Sequence, residues 1–289
     1  MKIKFISILL LSITLTFIGC STEGDKNNEF GRVSIQLTDA PFPHDLVAEA
    51  NVTVFKVDAR SKEEGVDENN APYLVLMEDE IEVNLLDLTN GITQTLVDTK
   101  VPSGSYDLFR IYVRGVNIVL TDGTVYDLKV PSGEQSGIKV FVKPNLIVDG
   151  GLTSDLLLDF DVSRSFVAKG NRKDAGGISG FNFKPVIKAS NMSTSGTLTG
   201  IITTLNGDEV TPLEGAQISI YSEGTEIAIT TTFSDATGMY TVLGLEAGKY
   251  DVVVELVDEL VEYETQTAEG ISVVAANKTI KDFELVVQE

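Results

Sequence analysis

Few side chains in this sequence are equipped for chemistry. Asp159 and Asp161 lie two apart in the run from Leu156 to Val162, whose alternation predicts a strand, so both carboxylates project from one face. Carboxylates so placed repel each other unless a cation or a basic side chain lies between them. Calcium, which takes oxygen ligands, would suit. Neutralisation by Arg110, Arg114 or Arg164, or plain exposure to water, would serve as well. Paired carboxylates are also what a glycosidase uses, but no signal of a cleft accompanies them. Lys169, Arg172 and Lys173 form a basic cluster that would attract an anionic glycan or an acidic partner. The single histidine, His44, sits in the proline-rich stretch Ala40-Pro41-Phe42-Pro43-His44-Asp45. Zinc sites built from Cys and His are excluded by count, and neither common glycine-rich phosphate loop occurs. Tyr106, Tyr112 and Tyr126 fit either a sugar-stacking platform or half-buried core positions. Asp39 is placed to shape the turn before Pro41. The expectation is a protein without catalytic function and without an obligatory cofactor.

The one cysteine, Cys20, has a distinctive setting. Lys2 and Lys4 precede an apolar run from Phe5 to Ile18. The run falls short of the roughly 20 apolar residues a spanning helix needs and has the length of a signal peptide's apolar part. It ends in Phe17-Ile18-Gly19-Cys20, which resembles the lipobox of bacterial lipoproteins, although Phe17 stands where Leu is usual. The resemblance implies cleavage before Cys20 and acylation of its sulfur. Being the only cysteine, Cys20 has no intrachain disulfide partner. Residues 1–19 are thus expected to be a signal peptide and residues 20–29 a lipidated polar tether. Glu23 and Asp25 faintly resemble the acidic export signals of some Gram-negative surface lipoproteins. The expected location is the outer membrane of a Gram-negative envelope, with periplasmic and external orientations both open.

The net charge of the 289-residue chain is −21, and removal of Lys2 and Lys4 with the signal leaves about −23. Nucleic acid is excluded as a partner, because its phosphates demand a basic patch. Attachment to a membrane must come from acyl chains, since anionic headgroups would repel so acidic a surface.

The elements that would carry these residues are strands. Alternation marks Val33 to Leu37, Val52 to Val57, Ile81 to Leu85, a long strand from Ser105 to Val119, and Leu156 to Val162, and Tyr73 to Met77 is an apolar run. Thr121-Asp122-Gly123-Thr124 reads as a hairpin turn and Leu88-Thr89-Asn90-Gly91 as another turn. Leu85 to Val97 has room for a short helix. Ala168 to Gly180, rich in Gly, Lys and Asp, reads as a mobile loop, with Phe181 to Ala189 the last strand of this half. Residues 191–196 are small and polar and read as a linker. Residues 197–289 predict a second set of strands and hold 17 acidic against 3 basic side chains. The fold class expected is all-β, with two β-sandwich modules in tandem, 30–190 and 197–289.

Two resemblances sharpen this. Pro212 to Ile220, Ser234-Asp235-Ala236-Thr237-Gly238-Met239-Tyr240 and Leu243 to Val254 resemble the carboxypeptidase regulatory-like domain. That resemblance implies a transthyretin-like, carbohydrate-binding-like sandwich that acts as spacer, chaperone or binding module and has no catalytic residues. Gly31 to Pro41, Leu86-Asp87-Leu88, Val101 to Tyr106 with Arg110, Leu158-Asp159-Phe160-Asp161 and Lys184 to Ala189 resemble the domain-of-unknown-function family numbered 4382. An echo links the modules: Val101-Pro102-Ser103-Gly104-Ser105-Tyr106 and Leu245-Glu246-Ala247-Gly248-Lys249-Tyr250 share a turn, Gly, one residue, Tyr and a long strand. The function expected is binding of a glycan or a cell-surface protein through loops of the first module. The alternative is a structural spacer or assembly scaffold.

Overall fold

Alternating apolar and polar residues produce strands almost throughout the computed structural model, which describes residues 29–39, 46–62, 72–130, 133–171, 174–257 and 261–288. In the first half these are β1 Phe30–Thr38, β2 Val47–Ser61, β3 Tyr73–Met77, β4 Ile81–Asn84, β5 Gln94–Pro102, β6 Gly104–Leu120, β7 Val125–Asp127, β8 Ile138–Val148, β9 Thr153–Phe160, β10 Phe166–Gly170, β11 Ile178–Phe183 and β12 Ile187–Asn191. In the second they are β13 Ser195–Asn206, β14 Glu209–Pro212, β15 Gln217–Ser222, β16 Ala228–Phe233, β17 Met239–Glu246, β18 Gly248–Glu255, β19 Gln266–Val273, β20 Lys278–Ile280 and β21 Phe283–Leu285. Among the described residues no helix is long and apolar enough to cross a membrane.

The chain is all-β, as two sandwiches in tandem. In the first, a sheet ordered β12-β9-β1-β5 packs on a larger one in which β3, β2, β6 and β7 follow each other, β4 pairs β2 and β8 pairs β6. Val33, Ile35 and Leu37 from β1, Leu156, Leu158 and Phe160 from β9, and Phe109, Ile111 and Val113 from β6 fill the space between the sheets. Phe160, Phe166 and Phe183 gather with ring centroids 5.0–6.4 Å apart, fastening the β10–β11 hairpin to one end of this core. In the second sandwich β13 carries β14 and β17, with short β20 and β21 parallel to it, and faces a sheet ordered β16-β15-β18-β19. Leu198, Ile202, Ile218, Ile220, Tyr240, Val252 and Val254 form its separate core.

The echo between the halves is a shared physical device. The Tyr106 hydroxyl donates to the Pro102 carbonyl at 2.8 Å, and the Tyr250 hydroxyl to the Glu246 carbonyl at 2.7 Å. Each buried ring ties the start of its strand to the backbone four residues upstream, as tyrosine corners do in β-sandwiches.

Three local expectations are revised. Only Leu85–Leu88 of the stretch from Leu85 to Val97 is helical, as a single 3-10 turn capped by the Asn84 side chain, and β5 begins at Gln94. The stretch from Ala168 to Gly180 is mainly a hairpin: Lys169 lies on β10, opposite Gly180 of β11. Residues 191–196 are no open linker. Asn191 ends β12 and accepts from Ser193 and Thr194, while Ser195 and Gly196 already belong to β13 and are buried. A side chain at Gly196 would meet the Val274 carbonyl oxygen at 2.5 Å, so the close approach demands glycine.

The short connection holds the sandwiches side by side. Leu157 points away from the first core, yet is only 2% exposed. It is covered by Gly244 of β17, where an added Cβ would lie 3.0 Å from Leu157 Cδ2. Ser190 Oγ donates to the Gly244 carbonyl at 3.0 Å. Asn90, at φ +55° in the expected turn, presents its amide to the free edge of β17. Its Nδ2 donates to Met239 O at 3.0 Å and its Oδ1 accepts from Thr241 N at 2.6 Å. One side chain thus stands in for a neighbouring strand and blunts an edge. Leu157→Ala is expected to cost roughly 2–4 kcal/mol in chemical denaturation. Limited proteolysis of the unsubstituted protein is expected to spare residues 192–194; rapid cleavage there would show that the joint opens.

Candidate functional site

The residues singled out in the sequence do not assemble into one site. Asp159 lies on β9, but Asp161 lies beyond the strand's end and caps the helical turn Val162–Ser165. Its Oδ1 accepts from Arg164 N at 3.0 Å and from Ser163 Oγ at 2.8 Å, and Arg164 Nε lies 3.1 Å from Oδ2. A capping carboxylate must sit ahead of the first helical N–H groups, which takes it off the strand face it was expected to share with Asp159. Of the three arginines considered as partners, Arg164 alone pairs there. Lys169 is exposed on β10, whereas Arg172, Lys173, Cys20 and His44 lie outside the described residues, as do residues 40–45 and 63–70 of the first module's expected binding loops, Ala40 to Asp45 and Ser61 to Asn70. Among the described residues no group of three or more His, Cys, Asp or Glu side chains could hold a metal ion.

The tyrosines do not make a platform either. Tyr106 is in the core, and Tyr126 packs edge-on against Phe181 with its hydroxyl on the Ile178 carbonyl at 2.7 Å. Tyr112 belongs to a charged network on the outer face of the larger sheet. Asp58 and Arg110 face each other across β2 and β6, and Arg110 holds Asp58 through two bonds of 2.7 and 2.6 Å. The Tyr112 hydroxyl adds a third bond to Asp58 at 3.0 Å. Next to it Arg60 grips Asp107 at 3.0 and 2.7 Å, and the Arg110 guanidinium lies 3.5 Å from the Tyr73 ring centroid. The Arg60 guanidinium holds the Asp107 carboxyl below its ordinary range. Asp58, Arg60 and Asp107 are buried, so each ion depends on its partner for solvation. Paired in this way, the network fastens β3 to the sheet. Alternating charges in both long strands, Asp58-x-Arg60 and Arg110-x-Tyr112-x-Arg114, were its signal.

The joint between the sandwiches offers a better site. A cleft of about 540 Å³ opens beside the Ser190–Gly244 contact, a size suited to a small ligand or chain segment. The first sandwich contributes Phe141 and Lys143 from β8, Leu157 and Asp159 from β9, and residues 187–190 of β12. The second contributes Ile229, Thr230, residues 243–246 and Tyr250. Alternation along β8 turns Lys139, Phe141 and Lys143 outward, leaving Phe141 56% exposed between two lysines. Lys188 leans across the gap, its Nζ 3.2 Å from the Ile229 carbonyl. Burial first, and the nearby Glu246 second, raise the Tyr250 hydroxyl above its ordinary range, so it stays a neutral donor at physiological pH. Mixed polar and apolar walls with an exposed ring, lysine heads and carboxylates can bind a ligand.

Comparison with known proteins follows this division. Residues 30–185 match the family model described as Domain of unknown function (DUF4382), and residues 197–286 the one described as Carboxypeptidase regulatory-like domain. The first match spans more than half of the sequence, and the chain belongs to the DUF4382 family. Neither description names a catalytic activity. No curated protein matches the sequence. Among solved structures the chain is similar to the type II cohesin–X-dockerin complex from Acetivibrio cellulolyticus, at 20% identity over 31% of this chain and 56% of that one, TM-score 0.24. It therefore spans little more than half of that structure's length. It is similar to GBS52, the minor pilin of Streptococcus agalactiae, at 12% identity over 89% of this chain and 96% of that one, TM-score 0.26. With the shaft pilin SpaA from Lactobacillus rhamnosus GG the identity is 11% over 90% and 98%, TM-score 0.27. These likenesses extend to all-β architecture only.

The network around Asp58 gives a pH signature. Burial, and then the bond to Asp58, push the Tyr112 hydroxyl up to about 12 from an ordinary value near 10. The folded state therefore keeps this proton where the unfolded chain has lost it. The stabilisation is complete below pH about 10 and fades as pH rises towards about 12. Denaturant unfolding across that interval should show a steeper loss of stability for the unsubstituted protein than for Tyr112→Phe. Equal slopes would remove Tyr112 from the network's energetics.

Proposed function

We propose that this protein is a non-catalytic, lipid-anchored binding protein of a Gram-negative outer membrane, and that it takes an anionic glycan in the cleft between its sandwiches. The observation that carries the binding site is Phe141, exposed beside Lys143 on the wall of a cleft lined by both sandwiches. An exposed ring stacks on the apolar face of a sugar, and lysine heads on long stems reach its carboxylate or phosphate groups. The lining sets Lys143 and Lys188 against Asp159 and Glu246, and an anionic group of the ligand would be held at the two lysine heads. This moves the expected site from the loops of the first module to the joint. The anchor rests on Phe17-Ile18-Gly19-Cys20 behind a basic and then apolar segment.

A spacer or assembly scaffold is the second reading. The fixed joint favours it, because a rod that holds something off a surface gains from stiffness where a simple binding module need not.

Two outcomes are expected. Cys20→Ser should move the protein from the membrane fraction to the soluble one and abolish incorporation of labelled acyl chains; a substituted protein still found with membranes would refute the anchor. Soluble residues 21–289 should bind uronate- or phosphate-bearing glycans on an array, with Phe141→Ala or Lys143→Glu each weakening binding by about ten-fold, or about 1.4 kcal/mol. A full array without a hit, from folded protein, would favour the spacer.

A further inference from the structure

At the end of the first sandwich where the described chain begins, three large apolar side chains are exposed. Phe30 is 49% exposed, Leu152 61% and Ile147 53%. Phe30 and Leu152 flank a hollow of about 480 Å³ that also meets Arg32 and Lys100. These side chains are held by backbone bonds. Gly151 N donates to Phe30 O at 2.9 Å, Arg32 N to Leu152 O at 2.8 Å and Leu152 N to Asp149 O at 3.1 Å. Ile147 joins them through its carbonyl, which accepts from Ser154 Oγ at 2.7 Å. The backbone that carries these exposed apolar groups is thus tied together at one end of the sandwich.

The length of chain leading to this end says what covers it. Nine residues separate Cys20 from Phe30. Fully extended they reach about 30 Å, and as a random coil about 15–18 Å. An acyl group on Cys20 would therefore hold this end, and not the opposite one, next to the lipid. The opposite end of β6, at Thr121–Thr124, lies a further 17 residues of strand away, or about 55 Å.

Charge agrees. Arg32 is ion-paired with Asp98, and Lys100 lines the same hollow, in a stretch of surface that also holds Glu29 and Asp149. This end is close to neutral, while residues 197–289 carry 17 acidic and 3 basic groups. Aromatic and aliphatic side chains ringed by balanced charges suit the interface of a zwitterionic bilayer.

We propose that Phe30, Ile147 and Leu152 rest in the headgroup region of the membrane that holds Cys20, so that the first sandwich stands on the bilayer at a fixed orientation. The proposal rests on the lipid-anchor reading of Cys20. The chain contains no tryptophan, so a single one is a clean reporter. Full-length acylated protein is reconstituted into phosphatidylcholine vesicles carrying lipids brominated near the headgroup, with Leu152→Trp or, separately, Phe30→Trp as the probe and Thr124→Trp as the distal control. Both proximal probes should shift to the blue and lose about half of their emission to the brominated lipid, and the control should do neither. A proximal probe that stays unquenched, while the protein floats with the vesicles, overturns the proposal and leaves the anchor intact. A blue shift without quenching also overturns it and assigns the patch to a second copy or another protein. Failure to float, with no acyl label, removes the anchor and the proposal together. Two proximal probes guard against one substitution disturbing the fold, which circular dichroism checks.

Discussion

β9 is buried on both faces, and the arrangement of the molecule depends on it. Leu156, Leu158 and Phe160 close the core of the first sandwich, as every second residue of an inner strand should. Leu157 lies on the other face, where an unsupported sheet would show water a polar residue. Covering Leu157 requires a second body against that face, and Gly244 of β17 supplies it, so close that an added Cβ would lie 3.0 Å from Leu157 Cδ2. Once β17 is there, its free edge needs partners, which the Asn90 amide provides. A connection of only residues 192–194 between β12 and β13 is sufficient because the two elements lie side by side.

The cleft follows from the same contact. Two sandwiches meeting along one line leave a groove where their surfaces diverge, and β8, β12, β16 and β17 line it. Ligands commonly settle where two domains meet, because neither alone offers concavity. With the joint closed, the walls are held at a set separation and no hinge motion is required for binding. The same stiffness links the cleft to the tether: β1 begins at the end nearest Cys20 and runs towards the Asn90 turn.

Much of the fold was legible. Alternation marked β6 and the β6–β7 hairpin nearly to the residue and the core of β1, and an apolar run marked β3. The paired Gly-x-Tyr pattern was visible as an echo, but not the hydroxyl-to-backbone bond that each tyrosine makes. Strands with weak alternation were missed: β14 is exposed throughout, and β19 buries little beyond Val273. The hairpin of β10 and β11 reads as a loop in the sequence because Gly and charge there outweigh its few apolar residues, although Phe166 and Phe183 anchor it. The site was less legible. A charge placed two residues from another reads as a strand face, but Asp161 is past the strand's end, where helix capping sets its direction. The joint left one trace, Leu157, an apolar residue on a face that also carries Asp159. That trace becomes informative only when a partner surface is known, since a lone outward leucine is common. Asn90-Gly91 was recognised as a turn, yet nothing local says that its amide reads a strand edge in the next domain.

The most direct test of a fixed joint is a distance measured across it. In a Cys20→Ser background, spin labels at Thr124→Cys in the first sandwich and Asp208→Cys in the second report the separation by pulsed electron paramagnetic resonance. One narrow distribution, which broadens when Leu157→Ala and Asn90→Ala are added, is the expected result. A broad distribution in the otherwise unsubstituted protein would contradict the joint and leave two sandwiches moving independently on a short connection.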